Sequence, residues 1–351
     1  MSQRLTDLLL ELLAMPCVTG DEGPIAEWLA ARYAREEVTR VGHSLVVGAH
    51  DPARPTVLLV GHTDVVPPTP ADREPRVEGE IVVGRGASDM KAGLVVAMDC
   101  FEDAALRQGP YALRLVAYAG EEGPHSGNEL GDVLASVEGL DDADLAVVLE
   151  PTDLAVQLGC LGVLNAHVAV QGRAAHAARP WHGQSAITNA IPLLEELGAR
   201  QPRDVELDGL VFREVLTVTQ AWTENTRNVV PPTLNLNLNY RFTPDLGVEE
   251  AEKALVNAVA GRGEVAIVDR APAASPQRDS PLVERFVEAA GDEVEAKQAW
   301  TDVARFAECG VPALNYGPGL TGQAHQAGEY VPTANLAKAR SVLTDFLGAT
   351  G

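Results

Sequence analysis

The stretch Val57-Leu58-Leu59-Val60-Gly61-His62-Thr63-Asp64-Val65-Val66-Pro67-Pro68 decides the fold. An apolar run of strand length delivers a His and an Asp, two residues apart, to a turn sealed by two prolines. In an open α/β sheet, ligands bind beyond the carboxyl ends of the strands, which is where His62 and Asp64 stand. A His followed two residues on by an Asp is a candidate metal ligand with a carboxylate that orients it. These residues alone are equally compatible with a surface loop histidine.

Working outward, the same pattern returns. Gly84-Arg85-Gly86-Ala87-Ser88-Asp89-Met90-Lys91-Ala92-Gly93 leads into a helix expected over about 91–107. Its glycines permit tight turns. Asp89 falls at the helix entry, where an Asp is a common N-cap. Leu113–Ala119 reads as a buried strand ending in Gly120-Glu121-Glu122-Gly123, and Asp144–Leu149 as another ending in Glu150-Pro151. Three strands thus end in His or acid, at spacings that suit strand–helix units.

The rest of the chain fits around them. Helices are expected over 4–14, stopped by Pro16, and over 24–36, followed by a hairpin-prone region at 40–48. The loop up to Gly84 carries Pro67, Pro68, Pro70 and Pro75, and a loop of such length is functional or mobile. From about 161 the character changes. Val163–Gln171, Val215–Gln220 and Thr233–Phe242 read as strands, the last alternating with period two, with helices near 184–199 and 247–260. This β-α-β-β-α-β order marks a split-βαβ sandwich. The expected organisation is a first part at 1–160, an inserted domain at 161–272 and a second part of the first domain at 273–351. The second part holds helices at 280–290, 301–308 and 333–348, a strand at 311–317, and His325 in a loop.

Composition narrows the function classes. The chain has 351 residues, 46% of them hydrophobic, and 50 acids against 27 bases give a net charge of −23. Nucleic acid and anionic membrane both require basic patches, so neither is expected as a partner. No stretch approaches the ~20 apolar residues of a membrane span, and the N-terminus lacks the features of a signal peptide. Cys17, Cys100, Cys160 and Cys309 are scattered with no CxxC pair, which points to a reducing cytoplasm. The acidity is that of a solvated surface or of salt adaptation. An anionic substrate would need local arginines.

The candidate site residues are His62, Asp64, Asp89, Glu121, Glu122, Glu150 and His325. Carboxylates and imidazoles without thiolate suit Zn²⁺, with Co²⁺ or Mn²⁺ also compatible. Five ligands are too many for one open catalytic zinc, whereas two divalent ions sharing a bridging carboxylate use them economically. Such a pair lowers the pKa of a water and polarises a substrate carbonyl. One member of the Glu121–Glu122 pair could then carry the proton.

These motifs, Gly-His-Thr-Asp at 61–64, the 84–93 segment, Gly-Glu-Glu-Gly at 120–123, Glu-Pro at 150–151 and Ala-His at 324–325, resemble the two-zinc amidohydrolase and peptidase family that includes acetylornithine deacetylase, aminoacylase and carboxypeptidase G. Leu-Gly-Cys-Leu-Gly at 158–162, Gly-Arg-Ala-Ala-His-Ala-Ala-Arg-Pro-Trp at 172–181, Asn-Tyr-Arg-Phe-Thr-Pro at 239–244, Trp-Thr-Asp-Val-Ala-Arg-Phe at 300–306 and Asn-Tyr-Gly-Pro-Gly at 315–319 resemble its succinyl-diaminopimelate desuccinylase branch, in the actinobacterial form.

The resemblance implies a zinc-exopeptidase-like α/β/α catalytic domain with an inserted α+β lid that also makes a homodimer. It implies His62 and Glu150 on one zinc, Glu122 and His325 on the other, Asp89 between them, Asp64 orienting His62, and Glu121 as general base and then acid. It implies that His176 reaches a neighbouring subunit's site to stabilise an oxyanion, against the alternative of a lid-surface His. Asn228 and Arg241 would hold the substrate's polar end, although a strand-face salt bridge also accounts for Arg241. Thr301, Gly317 and Gly319 would line the same pocket.

Two departures from the pattern stand out. Cys160-Leu161 replaces an Arg pair found in the proteobacterial form. The stretch after His325 reads Gln-Ala-Gly-Glu, with Glu329 a weak candidate partner for His325. The implied activity is hydrolysis of the amide of N-succinyl-LL-2,6-diaminopimelate. The alternatives are another N-acyl amino acid such as acetylornithine, a C-terminal peptide bond, or a non-catalytic binding protein on the same fold.

Overall fold

The structure, a computed structural model, describes residues 2–15, 17–291 and 293–348. Pro16, the expected stop of the first helix, lies outside the described residues. The chain divides into two units: one of Met1–Gly159, Pro276–Glu295 and Thr301–Gly351, the other of Cys160–Ser275 and Ala296–Trp300.

The first unit is built on an eight-stranded mixed sheet. Its order is Val38–Val41, Ser44–Val47, Ala112–Tyr118, Thr56–His62, Leu145–Val148, Ala313–Asn315, Val156–Leu158 and Val294–Ala296. The strand Thr56–His62 lies at its centre, parallel to both neighbours, and all seven of its residues are buried. Burial on both faces is why its sequence is a continuous apolar run instead of an alternating one.

Helices cover both faces. An added Cβ on Gly61 would stand 3.1 Å from Met90 Cε and 3.5 Å from Leu94 Cβ, so Gly61 faces the helix Lys91–Glu102. Side chains alternate along a strand, so His62 and its in-register neighbour Tyr118 face the other way. There Tyr118 meets Asp302, just before the helix Val303–Glu308. The helices Ser2–Leu13, Lys91–Glu102 and Thr333–Gly348 pack on one another. Among the described residues no helix is long and apolar enough to cross a membrane.

The second unit carries a five-stranded antiparallel sheet in the order Arg203–Leu207, Leu210–Trp222, Thr233–Phe242, Gly162–Gln171 and Glu264–Ala271. The helices Ala186–Ala199 and Val248–Val259 bury Leu193, Leu197 and Leu255 in the same core as the sheet's Leu236 and Leu238. The opposite face is wet: Asn239 Nδ2 donates to Asn165 Oδ1 at 2.9 Å, and Asn237 Nδ2 to Thr219 Oγ1 at 2.7 Å. That is the reason for the Leu-Asn alternation.

Several expectations are corrected. The helix expected over 91–107 is two, Lys91–Glu102 and Ala104–Arg107, because Asp103 turns extended and its side chain accepts the Ala105 N–H. The helix expected over 24–36 ends at Arg32. The proline-bearing segment before Gly84 is not a bare loop: Arg76–Glu78 and Ile81–Val83 form a hairpin joined by Tyr330–Pro332. Arg203–Leu207 adds an edge strand to the expected β-α-β-β-α-β order, through a tight turn at Asp208-Gly209. These short strands leave little periodicity to read.

Candidate metal centre

His62 ends the central strand and is fully buried. Its Nδ1 lies 3.0 Å from the Asp64 backbone oxygen and 3.6 Å from Asp64 Oδ1. That leaves Nε2 facing outward, 3.3 Å from Asp89 Oδ1 and 4.0 Å from Glu150 Oε1. Asp89 turns its other oxygen to the second histidine, with Oδ2 3.6 Å from His325 Nε2. His325 Nε2 is also 2.8 Å from Glu122 Oε2. His62, Asp89 and Glu122 each place one prospective ligand atom within 4.8 Å of the others.

Ligand atoms about 2.0–2.1 Å from one tetrahedral ion stand roughly 3.3 Å apart. The His62–Asp89 and His325–Asp89 separations match that edge, and the donors are imidazole nitrogens and carboxylate oxygens. The residues therefore fit two divalent ions, His62, Glu150 and Asp89 toward one, and Glu122, His325 and Asp89 toward the other.

The N-cap reading of Asp89 does not hold. The helix cap is Met90, and no side-chain cap bond is made. The loop carrying Asp89 is set by Glu329, which is fully buried. Glu329 Oε2 accepts from Arg85 Nη1 at 2.7 Å and Gly86 N at 3.0 Å, while Oε1 accepts from Ser88 N at 2.7 Å and Asp89 N at 2.9 Å. Both oxygens of Glu329 thus serve the 85–89 loop, and it acts on His325 through its charge. Arg85 in turn reaches Asp72 Oδ2 at 3.1 Å, which ties down the proline-bearing segment.

Asp64 accepts from Thr19 Oγ1 at 2.9 Å, Glu121 N at 3.1 Å and Glu122 N at 3.0 Å. Burial acts to raise its pKa, but His62 and these donors outweigh it and hold the carboxyl at about 2. Glu121 is pushed the other way, well above the ordinary carboxylate value. Burial is the main cause, His62 opposes it, and the carboxylates of Glu150, Asp302 and Glu122 add to it. Two carboxylates at the ends of neighbouring strands, joined through the Glu121 N–H on Asp64, are therefore tuned apart, the pattern expected of an acid–base group beside a fixed carboxylate.

In the first unit, Gly317 and Gly319 pack against backbone. An added Cβ would stand 2.4 Å from the Glu150 oxygen at Gly317 and 2.2 Å from the Ser88 oxygen at Gly319. Both glycines let this loop close on segments that carry candidate ligands. Thr301 is buried. In the second unit, His176 is exposed and its Nδ1 accepts the Ala178 N–H at 3.0 Å. Asn228 is exposed, and its carbonyl accepts the Ala177 N–H at 2.8 Å. Arg241 Nε donates to Asn239 Oδ1 at 3.0 Å.

The chain matches peptidase family M20/M25/M40 over residues 58–349. It belongs to that family. Among relatives, it is 34% identical to a putative succinyl-diaminopimelate desuccinylase of Mycobacterium tuberculosis over 347 residues, covering 97% of each chain. It is 33% identical to the succinyl-diaminopimelate desuccinylase of Corynebacterium glutamicum over 359 residues, covering 99% of this chain and 95% of that one. Solved M20-type structures share the fold. A tripeptidase from Staphylococcus aureus superposes with a TM-score of 0.78 at 20% identity, covering 99% of this chain and 98% of that one. A dinuclear metal-binding M20 peptidase from Bacillus subtilis gives 0.68 at 14% identity, covering 99% and 97%.

Several residues of this M20 site gave no local sign in the sequence. Thr19, Asp72, Arg85 and Tyr118 lie far along the chain from the groups they hold. Asp302 sits in a stretch from which only Thr301 was singled out.

Proposed function

We propose that this M20 family member is a two-metal amidohydrolase that cleaves N-succinyl-LL-2,6-diaminopimelate to succinate and LL-2,6-diaminopimelate. The observation that carries the reaction class is the geometry of Asp89, with one carboxylate oxygen facing His62 and the other facing His325. The substrate rests on the full-length relatives named for it. Two divalent ions, Zn²⁺ in this reading, would be held by His62, Glu150, Glu122 and His325 with Asp89 between them. When bound they would acidify a water and polarise the scissile carbonyl.

The chain's own groups supply the rest. Asp64 holds the His62 ring through Nδ1 and so keeps Nε2 turned to the site. Glu121, kept basic by burial and neighbouring carboxylates, takes the proton from the attacking water and returns it to the leaving amine. His176 accepts at Nδ1, so its ring proton sits on Nε2 as an outward donor for a developing oxyanion. Arg241 offers a guanidinium fork to a substrate carboxylate; Asn228, Thr301, Gly317 and Gly319 are proposed as further substrate-binding residues.

A homodimer through the second unit is supported by the exposed Trp181, Ile187 and Ile191, which are 72%, 48% and 45% accessible. Among the described residues, Val215–Trp222 also pairs on one side only, leaving a strand edge open. A cytoplasmic location is supported by four cysteines that are all free.

The test is kcat/KM of zinc-loaded protein on N-succinyl-LL-2,6-diaminopimelate beside N-acetylornithine. The proposal expects a clear preference for the former. A preference for the latter overturns the substrate, and a metal-free, chelator-indifferent protein overturns the reaction class.

A further inference from the structure

Asp302 is completely buried and stands at the N-cap of the helix Val303–Glu308, yet its side chain makes no cap bond there. It reaches instead to the segment that carries Glu121. Asp302 Oδ2 accepts the Tyr118 hydroxyl at 2.7 Å, immediately before that segment. Its two oxygens accept Asn128 Nδ2 at 3.0 and 2.9 Å, at the segment's far end. Arg305 bridges the middle, donating from Nε to Asp302 Oδ1 at 2.9 Å and from Nη2 to the His125 carbonyl at 2.6 Å. The Asn128 amide is oriented for this by its own oxygen, which accepts the Leu130 N–H at 2.9 Å. The Glu129 N–H closes the segment on the Ala119 carbonyl at 3.0 Å.

We infer that Asp302 is a positioning residue for Glu121, clamping both ends and the middle of the 119–128 segment so that the Glu121 carboxylate is held at its working position. This rests on the base role proposed above for Glu121. The division of labour with Asp64 is spatial. Asp64 takes the backbone N–H groups of Glu121 and Glu122 themselves, whereas Asp302 takes the flanks. Both N–H groups keep Asp64, but the Glu122 carboxylate is also held by His325 at 2.8 Å, so loss of Asp302 displaces the base more than the metal ligand. An ångström of misplacement of a catalytic group costs on the order of a hundredfold in rate.

The experiment uses the full zinc-loaded chain and N-succinyl-LL-2,6-diaminopimelate, with Asp302→Ala, Glu121→Gln, the double variant and the milder Tyr118→Phe. Asp302→Ala is expected to lower kcat by roughly a hundredfold, with KM and bound metal within about twofold of the parent. On the Glu121→Gln background it is expected to cost nothing further, because the group it positions is already disabled. Unchanged kcat, a loss that tracks lost metal, or a loss that multiplies with that of Glu121→Gln overturns the inference. If Asp302→Ala does not fold, Tyr118→Phe and Asn128→Ala are judged by the same criteria. A Glu121→Gln variant with normal turnover overturns the base role and this inference together. An inactive Glu121→Gln beside a normal or multiplicative Asp302→Ala overturns the inference alone.

Discussion

The Glu122 backbone N–H donates to Asp64 Oδ2 at 3.0 Å. The carboxylate beside His62, at the end of one strand, therefore also fixes the turn at the end of the next. The neighbouring Glu121 N–H and the Thr19 hydroxyl complete the set of donors around it. Asp64→Asn offers one acceptor oxygen where three donors and the His62 ring now converge. It is expected to weaken metal binding by about 10–100-fold, measured by chelator competition. Unaltered affinity would remove Asp64 from the orienting role.

Glu121→Gln keeps the shape of the side chain and removes its basicity. Turnover is expected to fall by roughly 10²–10⁴-fold with metal stoichiometry retained. Steady-state kinetics beside metal analysis checks this, and near-normal kcat would take Glu121 out of proton transfer.

Glu329 accepts four hydrogen bonds in a fully buried setting, three of them from the backbone that leads to Asp89. Glu329→Ala leaves the three backbone N–H groups without that acceptor and takes from Arg85 one of its two carboxylate partners, an expected loss of about 3–5 kcal/mol. Urea unfolding of the parent and variant measures it. A variant as stable as the parent would show that the loop is held by other means.

His176→Ala removes the outward Nε2 donor. The expected loss in kcat corresponds to about 2.7–4 kcal/mol, with bound metal unchanged. A variant with parental kcat would return His176 to an ordinary surface residue.

One pH dependence of stability is expected on the alkaline side. Burial is the main force on the Cys100 thiol and pushes its pKa from 9.0 up to about 12, with Arg340 opposing and Asp99 and Asp103 adding to it. Between those values the unfolded chain ionises the thiol and the folded chain does not, so the folded state holds the extra proton. The contribution is complete below 9.0 and is lost as pH rises toward about 12, at a slope of about 1.4 kcal/mol per pH unit for this one group. Cys100→Ala should flatten the curve of unfolding free energy against pH by that slope. An identical slope in parent and variant would exclude Cys100 as its source. At neutral pH only Cys309 among the four cysteines is exposed, so a thiol reagent should label one group in the native protein and four in urea.

The sequence by itself determined the strand ends. A strand buried on both faces must be apolar until it leaves the sheet. The change from Val60 to His62 and Asp64, from Tyr118 to Glu121 and Glu122, and from Val148 to Glu150 therefore marks where chemistry begins. The Leu-Asn alternation of Thr233–Phe242 likewise declared one wet face. Local patterns carry such information because burial acts residue by residue.

Tertiary structure decided what those ends are tied to. Whether Asp89 capped a helix or faced two histidines depended on Glu329, which stands 240 residues away. Asp302 takes the Tyr118 hydroxyl, 184 residues away, and leaves the N-terminus of its own helix without a side-chain cap. Hydrogen bonds between such distant residues leave no periodicity in the chain. They exist only once the sheet has brought its carboxyl ends together, so they could be read from the folded protein alone.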